Sequence, residues 1–177
     1  MMNITNSRFA ILSALALLVL MSVALAGCGF KPVYSKTDNA QNKSVRSALA
    51  NTYIDIIPNR DGVLLRNHLI DQFYKNGAPT SPAYVLKVRS IQAKQSNLDL
   101  TENADATRSQ ISLRTEFTLI DKASGKELTK QQVNAITSYN VLQSEFATRV
   151  SRQSSKDNAV KELARQIETR LSLYFSY

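Results

Sequence analysis

The stretch "SQISLRTEFTLID", residues 109–121, restricts the fold more than any other part of the chain. Ile111, Leu113, Thr115, Phe117 and Leu119 fall on one side of an extended backbone, and Ser112, Arg114, Glu116 and Thr118 on the other. Side chains alternate across a strand, so this one needs an apolar layer against one face and water against the other. A sheet with one wet face is ordinarily antiparallel and backed by helices or a second sheet.

The neighbouring segments supply those partners. "KASGK" is a turn, with Gly125 free to take positive φ. In the segment that follows, Val133, Ala135, Thr137 and Tyr139 alternate with other residues, so two antiparallel strands are expected. Upstream, Tyr84, Leu86 and Val88 alternate with Val85, Lys87 and Arg89, until Ile91 breaks the pattern at a bulge or a strand end. "YIDIIP", Tyr53 to Pro58, is rich in strand formers and stops at proline. "NLDLTENADAT" reads as an acidic connection.

Two segments carry helical spacing. Leu65, Leu69 and Phe73, with Ile70 and Tyr74 beside them, give one apolar face over about 62–76, with Asp61 as cap and Gly77 as stop. Val160, Leu163, Ala164, Ile167, Leu171 and Tyr174 form a second stripe, capped by Ser154, Ser155 or Asp157, with Glu162 and Arg165 paired at i, i+3. "QSEFATRV" before it is either a further helical turn or a loop. The expected fold is α+β: a two-layer sandwich in the order β-α-β-β-β-α, with a four-stranded, mainly antiparallel sheet packed against two helices.

The amino terminus is of another kind. Phe9 to Ala26 is apolar apart from Ser13 and Ser22, follows a single cation, Arg8, and ends at Cys28, the only cysteine. That length suits either a short membrane anchor or a secretory signal. Leu25-Ala26-Gly27-Cys28 resembles the lipobox of bacterial lipoproteins, a resemblance that implies cleavage before Cys28 and acylation of that residue. Buried acyl chains contribute about 0.8 kcal/mol per methylene, and more than one chain is needed for stable anchoring. Gly29 stands where an aspartate would retain a lipoprotein in the inner membrane, so the outer membrane is expected.

The expected organisation is a cleaved signal over 1–27, a lipidated tether over 28–51 whose Phe30, Val33 and Tyr34 either dock on a surface or belong to a flexible spacer, and one α+β domain over 52–177. Removing 27 residues of 177 leaves 150, enough for one core. The signal holds one cation and no acid, so the net charge of +8 becomes +7 in the remainder. That balance points to an anionic partner, phospholipid or lipopolysaccharide, and export argues against nucleic acid. With one cysteine no internal disulfide forms, and the core holds by packing.

No catalytic constellation emerges. His68, the single histidine, sits within a helix beside an apolar face. Neither metal-ligand spacings nor phosphate-cradling glycine loops occur, so no enzyme, metal or cofactor is expected.

"CGFKPVY" after the signal, "LLRNHLIDQF" in the first helix and "AVKELARQIETRL" in the last resemble the lipopolysaccharide-assembly lipoprotein family LptE, over nearly all of residues 28–175. The resemblance implies an outer-membrane lipoprotein, lipid-anchored on the periplasmic side. It would plug the LptD β-barrel, assist its assembly and bind lipopolysaccharide in transit.

A binder of lipid A needs cations near apolar surface. The candidates are Lys87, Arg89 and Lys94 on or after the second strand, with Arg114 and Lys130 on its neighbours. The family's basic residue before the last helix corresponds to Arg149 or Arg152. Glu102 to Asp105 is acidic where the family has a basic residue, with Arg108 the nearest substitute. Two rival readings share the anchor: an auxiliary lipoprotein of a lipid-transporting ABC system, and a structural envelope lipoprotein.

Overall fold

The computed structural model describes residues 40–75, 77–100 and 106–177. Helix α1 (Ala40–Ala50) leads into strand β1 (Thr52–Ile54), followed by α2 (Asn59–Phe73), β2 (Tyr84–Val88), β3 (Gln92–Leu100), β4 (Ala106–Asp121), β5 (Glu127–Asn140) and α3 (Glu145–Phe175). The α+β fold is as expected, with a fifth strand and a third helix added to it. Cys28, the expected signal and Phe30, Val33 and Tyr34 lie outside the described residues. The end of the expected tether, 40–50, is helical, and its Leu49 joins the core.

β4 is the spine of the sheet. One of its edges pairs along its length with β5, through the turn at Gly125, whose φ is 69°. Its other edge pairs with β2 and then with β3, all antiparallel, and β1 adds to β2 in parallel. Val88 stands opposite Phe117 and Gln92 opposite Arg114, so β2–β3 carries one more residue than β4 over that span. This is a β-bulge. Thr115 Oγ1 donates to the Arg89 carbonyl at 2.7 Å, satisfying a backbone group at the irregularity. Ile91, where the sequence alternation breaks, lies in this bulge. β2 and β3 are thus two halves of one bent path, which reconciles five strands with the four expected.

The three helices among the described residues contribute to one core with a single face of the sheet. Ile54, Leu86, Ile111, Leu113, Phe117, Leu119 and Val133 are buried from the sheet side. Leu65, Leu69 and Phe73 of α2 and Val160, Leu163, Ala164, Ile167 and Leu171 of α3 meet them. Complete burial of such a side chain stabilises the fold by about 1.5–3 kcal/mol.

Both helix starts differ from expectation. α2 begins at Asn59, whose φ of 70° is one that asparagine tolerates better than most residues. Asp61 sits in the first turn and does not cap it. Its carboxylate instead meets Lys156 Nζ of α3 at 2.6 Å. The helix stops at Phe73, before Gly77, whose φ of 96° serves the following loop. Gly62 lies against Ile57, where an added Cβ would fall 2.7 Å from the isoleucine side chain.

α3 runs for 31 residues, about 46 Å at 1.5 Å per residue. Ser144 is its N-cap and accepts from the Ala147 N–H at 3.3 Å. Ser154, Ser155 and Asp157 are therefore interior, and "QSEFATRV" enters the helix. Glu162 and Arg165 pair as expected, at 2.7 Å, and this holds the Glu162 carboxyl below its ordinary range.

Tyr74, just past α2, locks β1 in place. Its hydroxyl donates to the Thr52 carbonyl at 2.7 Å and accepts from the Ile54 N–H at 3.2 Å. Burial pushes this phenol's pKa up, against the lowering effect of the bond to Ile54.

Candidate functional site

The sheet face away from the helices is open, and strand register sets its residues in rows. Directly opposed residues in a sheet share a face. The first row is apolar on three strands, Tyr53, Val85 and Ile120 lying side by side on β1, β2 and β4, and ends in Glu127 of β5 opposite Ile120. Tyr53 is exposed, and Val85 and Ile120 are half-buried. The next row is Lys87, Thr118 and Lys130. Then come Glu116 and Gln132, with Arg89 on the bulge beside Glu116, its N–H donating to the Glu116 carbonyl at 2.9 Å. Gln92, Arg114 and Asn134 follow, and after them Lys94, Ser112 and Ile136.

Five of the seven sequence candidates, Lys87, Arg89, Lys94, Arg114 and Lys130, therefore stand on one exposed face. The physical reason is the bulge. Odd-numbered residues face outward on β2, and after one inserted residue the even-numbered Lys94 faces outward on β3.

Arg149 and Arg152 are elsewhere. They are exposed in the first turns of α3, in the helix layer, and Arg149 pairs with Glu145 at 3.1 Å. Arg108 is near the far end of β4 and donates from Nη2 to Ser138 Oγ at 3.0 Å. Glu102 to Asp105 lie outside the described residues.

Glu116 was not among the sequence candidates, yet it stands at the centre of the cations. Its Oε1 lies 3.2 Å from Lys130 Nζ and 3.4 Å from Arg89 Nη1. Among the described residues, Lys87 and Arg114 have no such partner. The alternation of β4 already put Glu116 on the wet side beside Arg114, but the strand register was needed to surround it. Tyr53 and Ile120 complete the apolar row for the same reason: no local pattern puts them together.

Chemically, this face can hold an anion by charge-assisted hydrogen bonds next to a small apolar strip. Among the described residues no group of His, Cys, Asp and Glu is arranged to hold a metal ion. No helix among them is long and apolar enough to cross a membrane.

Comparison with known proteins gives the chain a context. The family model described as LptE, lipopolysaccharide-assembly, matches residues 49–171. Uncharacterised protein RP188 of Rickettsia prowazekii (strain Madrid E) is 25% identical over 159 residues, covering 89% of this chain and 95% of that protein. A lipoprotein of Caulobacter crescentus CB15 has a similar crystal structure, with a TM-score of 0.61 and 22% identity over 75% of this chain and 96% of that one. The solution structure of an uncharacterised lipoprotein B from Nitrosomonas europaea gives a TM-score of 0.54 at 16% identity, over 70% and 82% of the two chains. These two likenesses are of fold.

Proposed function

The chain belongs to the LptE, lipopolysaccharide-assembly family, and from that premise we propose that it is an outer-membrane lipoprotein, acylated on Cys28, which partners the LptD β-barrel and binds lipopolysaccharide in transit. The observation that carries the binding part is the open sheet face, where Lys87 and Lys130 adjoin the row Tyr53, Val85 and Ile120, and Arg89 and Arg114 follow in the next two rows.

An amphiphile with phosphates and acyl chains asks for both. Arginine presents a planar fork to phosphate oxygens, and lysine a mobile point charge. The side chains of Tyr53, Val85 and Ile120 give hydrocarbon a place on the same face, one row from Lys87 and Lys130, two from Arg89 and three from Arg114. The work is holding and release, with no bond made or broken. Each contact is exposed and individually weak, which suits a carrier that must pass its cargo on. Arg149 and Arg152, on the helix layer, are set apart from this face and would meet a different part of the ligand or the barrel.

Two measurements test the proposal. Gentle detergent extraction of the full chain should bring down a large outer-membrane β-barrel; recovery with inner-membrane transporter subunits would favour the ABC-auxiliary reading instead. In a binding titration, simultaneous charge reversal at Lys87, Arg89 and Arg114 should weaken lipopolysaccharide binding at least about tenfold, taking each lost charge-assisted contact at about 0.5–1 kcal/mol. Unchanged affinity would remove the sheet face from the proposal.

A further inference from the structure

Glu116 is the single acid among the described residues in the rows of β2–β5 running from Lys87 to Lys94. It is also the least exposed member of its ionic group: its side chain keeps 27% of its accessible surface, against 49% for Lys130 and 76% for Arg89. One oxygen, Oε1, serves both cations. Arg114 is two residues away along the same strand and face, and Lys87 stands opposite Thr118, the next outward residue in the other direction.

A carboxylate so placed has the charge and hydrogen-bonding capacity of a phosphate oxygen pair, and it sits where such a group would bind. We propose that Glu116 is an internal competitor for the ligand's phosphate. In the empty protein it engages Arg89 and Lys130; a bound phosphate ester takes those contacts over and leaves the carboxylate to water. The inference rests on the reading of this face as the lipopolysaccharide-binding one, and adds to it a residue that sets how readily the ligand leaves. A cation cluster without such a competitor would hold polyanions more tightly and release them more slowly. With it, every phosphate that binds must first displace an existing pair.

The test uses the full-length chain in detergent, with lipopolysaccharide in mixed micelles and, separately, inorganic pyrophosphate as a soluble phosphate. Glu116→Gln keeps the shape and removes the charge; Asp71→Asn, an exposed acid on α2, controls for net charge. Glu116→Gln should tighten lipopolysaccharide binding about two- to fivefold, as expected for the loss of one or two exposed ion pairs, and Asp71→Asn should leave it alone. Tightening toward lipopolysaccharide alone assigns the contact to the lipid headgroup within its micelle. Equal tightening toward pyrophosphate assigns it to phosphate as such.

Unchanged or weaker binding by Glu116→Gln, or equal tightening by Asp71→Asn, overturns the inference. If charge reversal at Lys87, Arg89 and Arg114 still weakens binding in that case, the reading of the face stands and the competitor role alone falls. If the reversal also has no effect, both fall together.

Discussion

Glu116 and Phe117 are consecutive residues of β4 with opposite fates. Phe117 is completely buried among the helices, while Glu116 stands on the open face among lysines and arginines. The same contrast runs the length of the strand, and it separates two jobs. The helix-covered face carries apolar area and the cohesion of the fold. The open face carries charges that contribute little to folding, because exposed ion pairs are worth about 0–1 kcal/mol. A sheet built this way lets binding residues change without touching the core behind them.

That separation can be broken experimentally. The largest expected effect is on the covered face: Phe117→Ala should cost about 3–5 kcal/mol in urea unfolding, from lost transfer energy and the cavity left behind. A loss under about 1 kcal/mol would mean that this face is not the centre of stability. Next, Tyr74→Phe should cost about 1–2 kcal/mol, because it strips partners from the backbone of Thr52 and Ile54, both buried. Its denaturation midpoint should fall with the slope unchanged.

On the open face, the triple reversal at Lys87, Arg89 and Arg114 should move stability by no more than about 1 kcal/mol while weakening the ligand. A large destabilisation there would erase the contrast. The smallest effect is expected at Glu168, half-buried on α3, whose carboxyl is pushed up by burial against the pull of Lys75. Since its folded pKa is raised, its protonated form favours the fold, and that contribution fades as pH rises through the raised value. Glu168→Gln should therefore be slightly more stable than the parent near neutrality, with the gap closing on acidification. The two unfolding midpoints compared across that range check the sign.

Legibility in the sequence followed burial. β4, β5 and the second half of α3 bury one face under a complete layer, so their periods are plain, and Ile111 to Leu119 are where the alternation puts them. β3 leaves no strand signature, and its end from Asn97 reads as a connection, because Gln92 to Leu98 are exposed on both faces. With no layer over it, the strand needs no apolar alternation, and its pairing with β4 is invisible locally. α1 is hidden for a related reason: Leu49 is buried, Val45 is partly so, and the large residues around them, Lys43 and Arg46, are polar. The first turns of α3 leave Phe146 and Val150 exposed, so the stripe gives no sign that the helix has already begun. The cations of the site were readable singly from β2, β4 and β5. Their gathering around Glu116 depends on cross-strand register, which no single segment encodes.

The extra residue between Val88 and Gln92 bears on tolerance to deletion. Removing Ser90 would match the two paths residue for residue, with Val88 still opposite Phe117, Gln92 opposite Arg114 and Lys94 opposite Ser112 on the outward side. Removing two residues would leave the path one short and turn Lys94 inward, with Ala93 and Gln95 outward. The corner therefore has one residue to spare, and only the loss of a second would decide which side chains of β3 meet water.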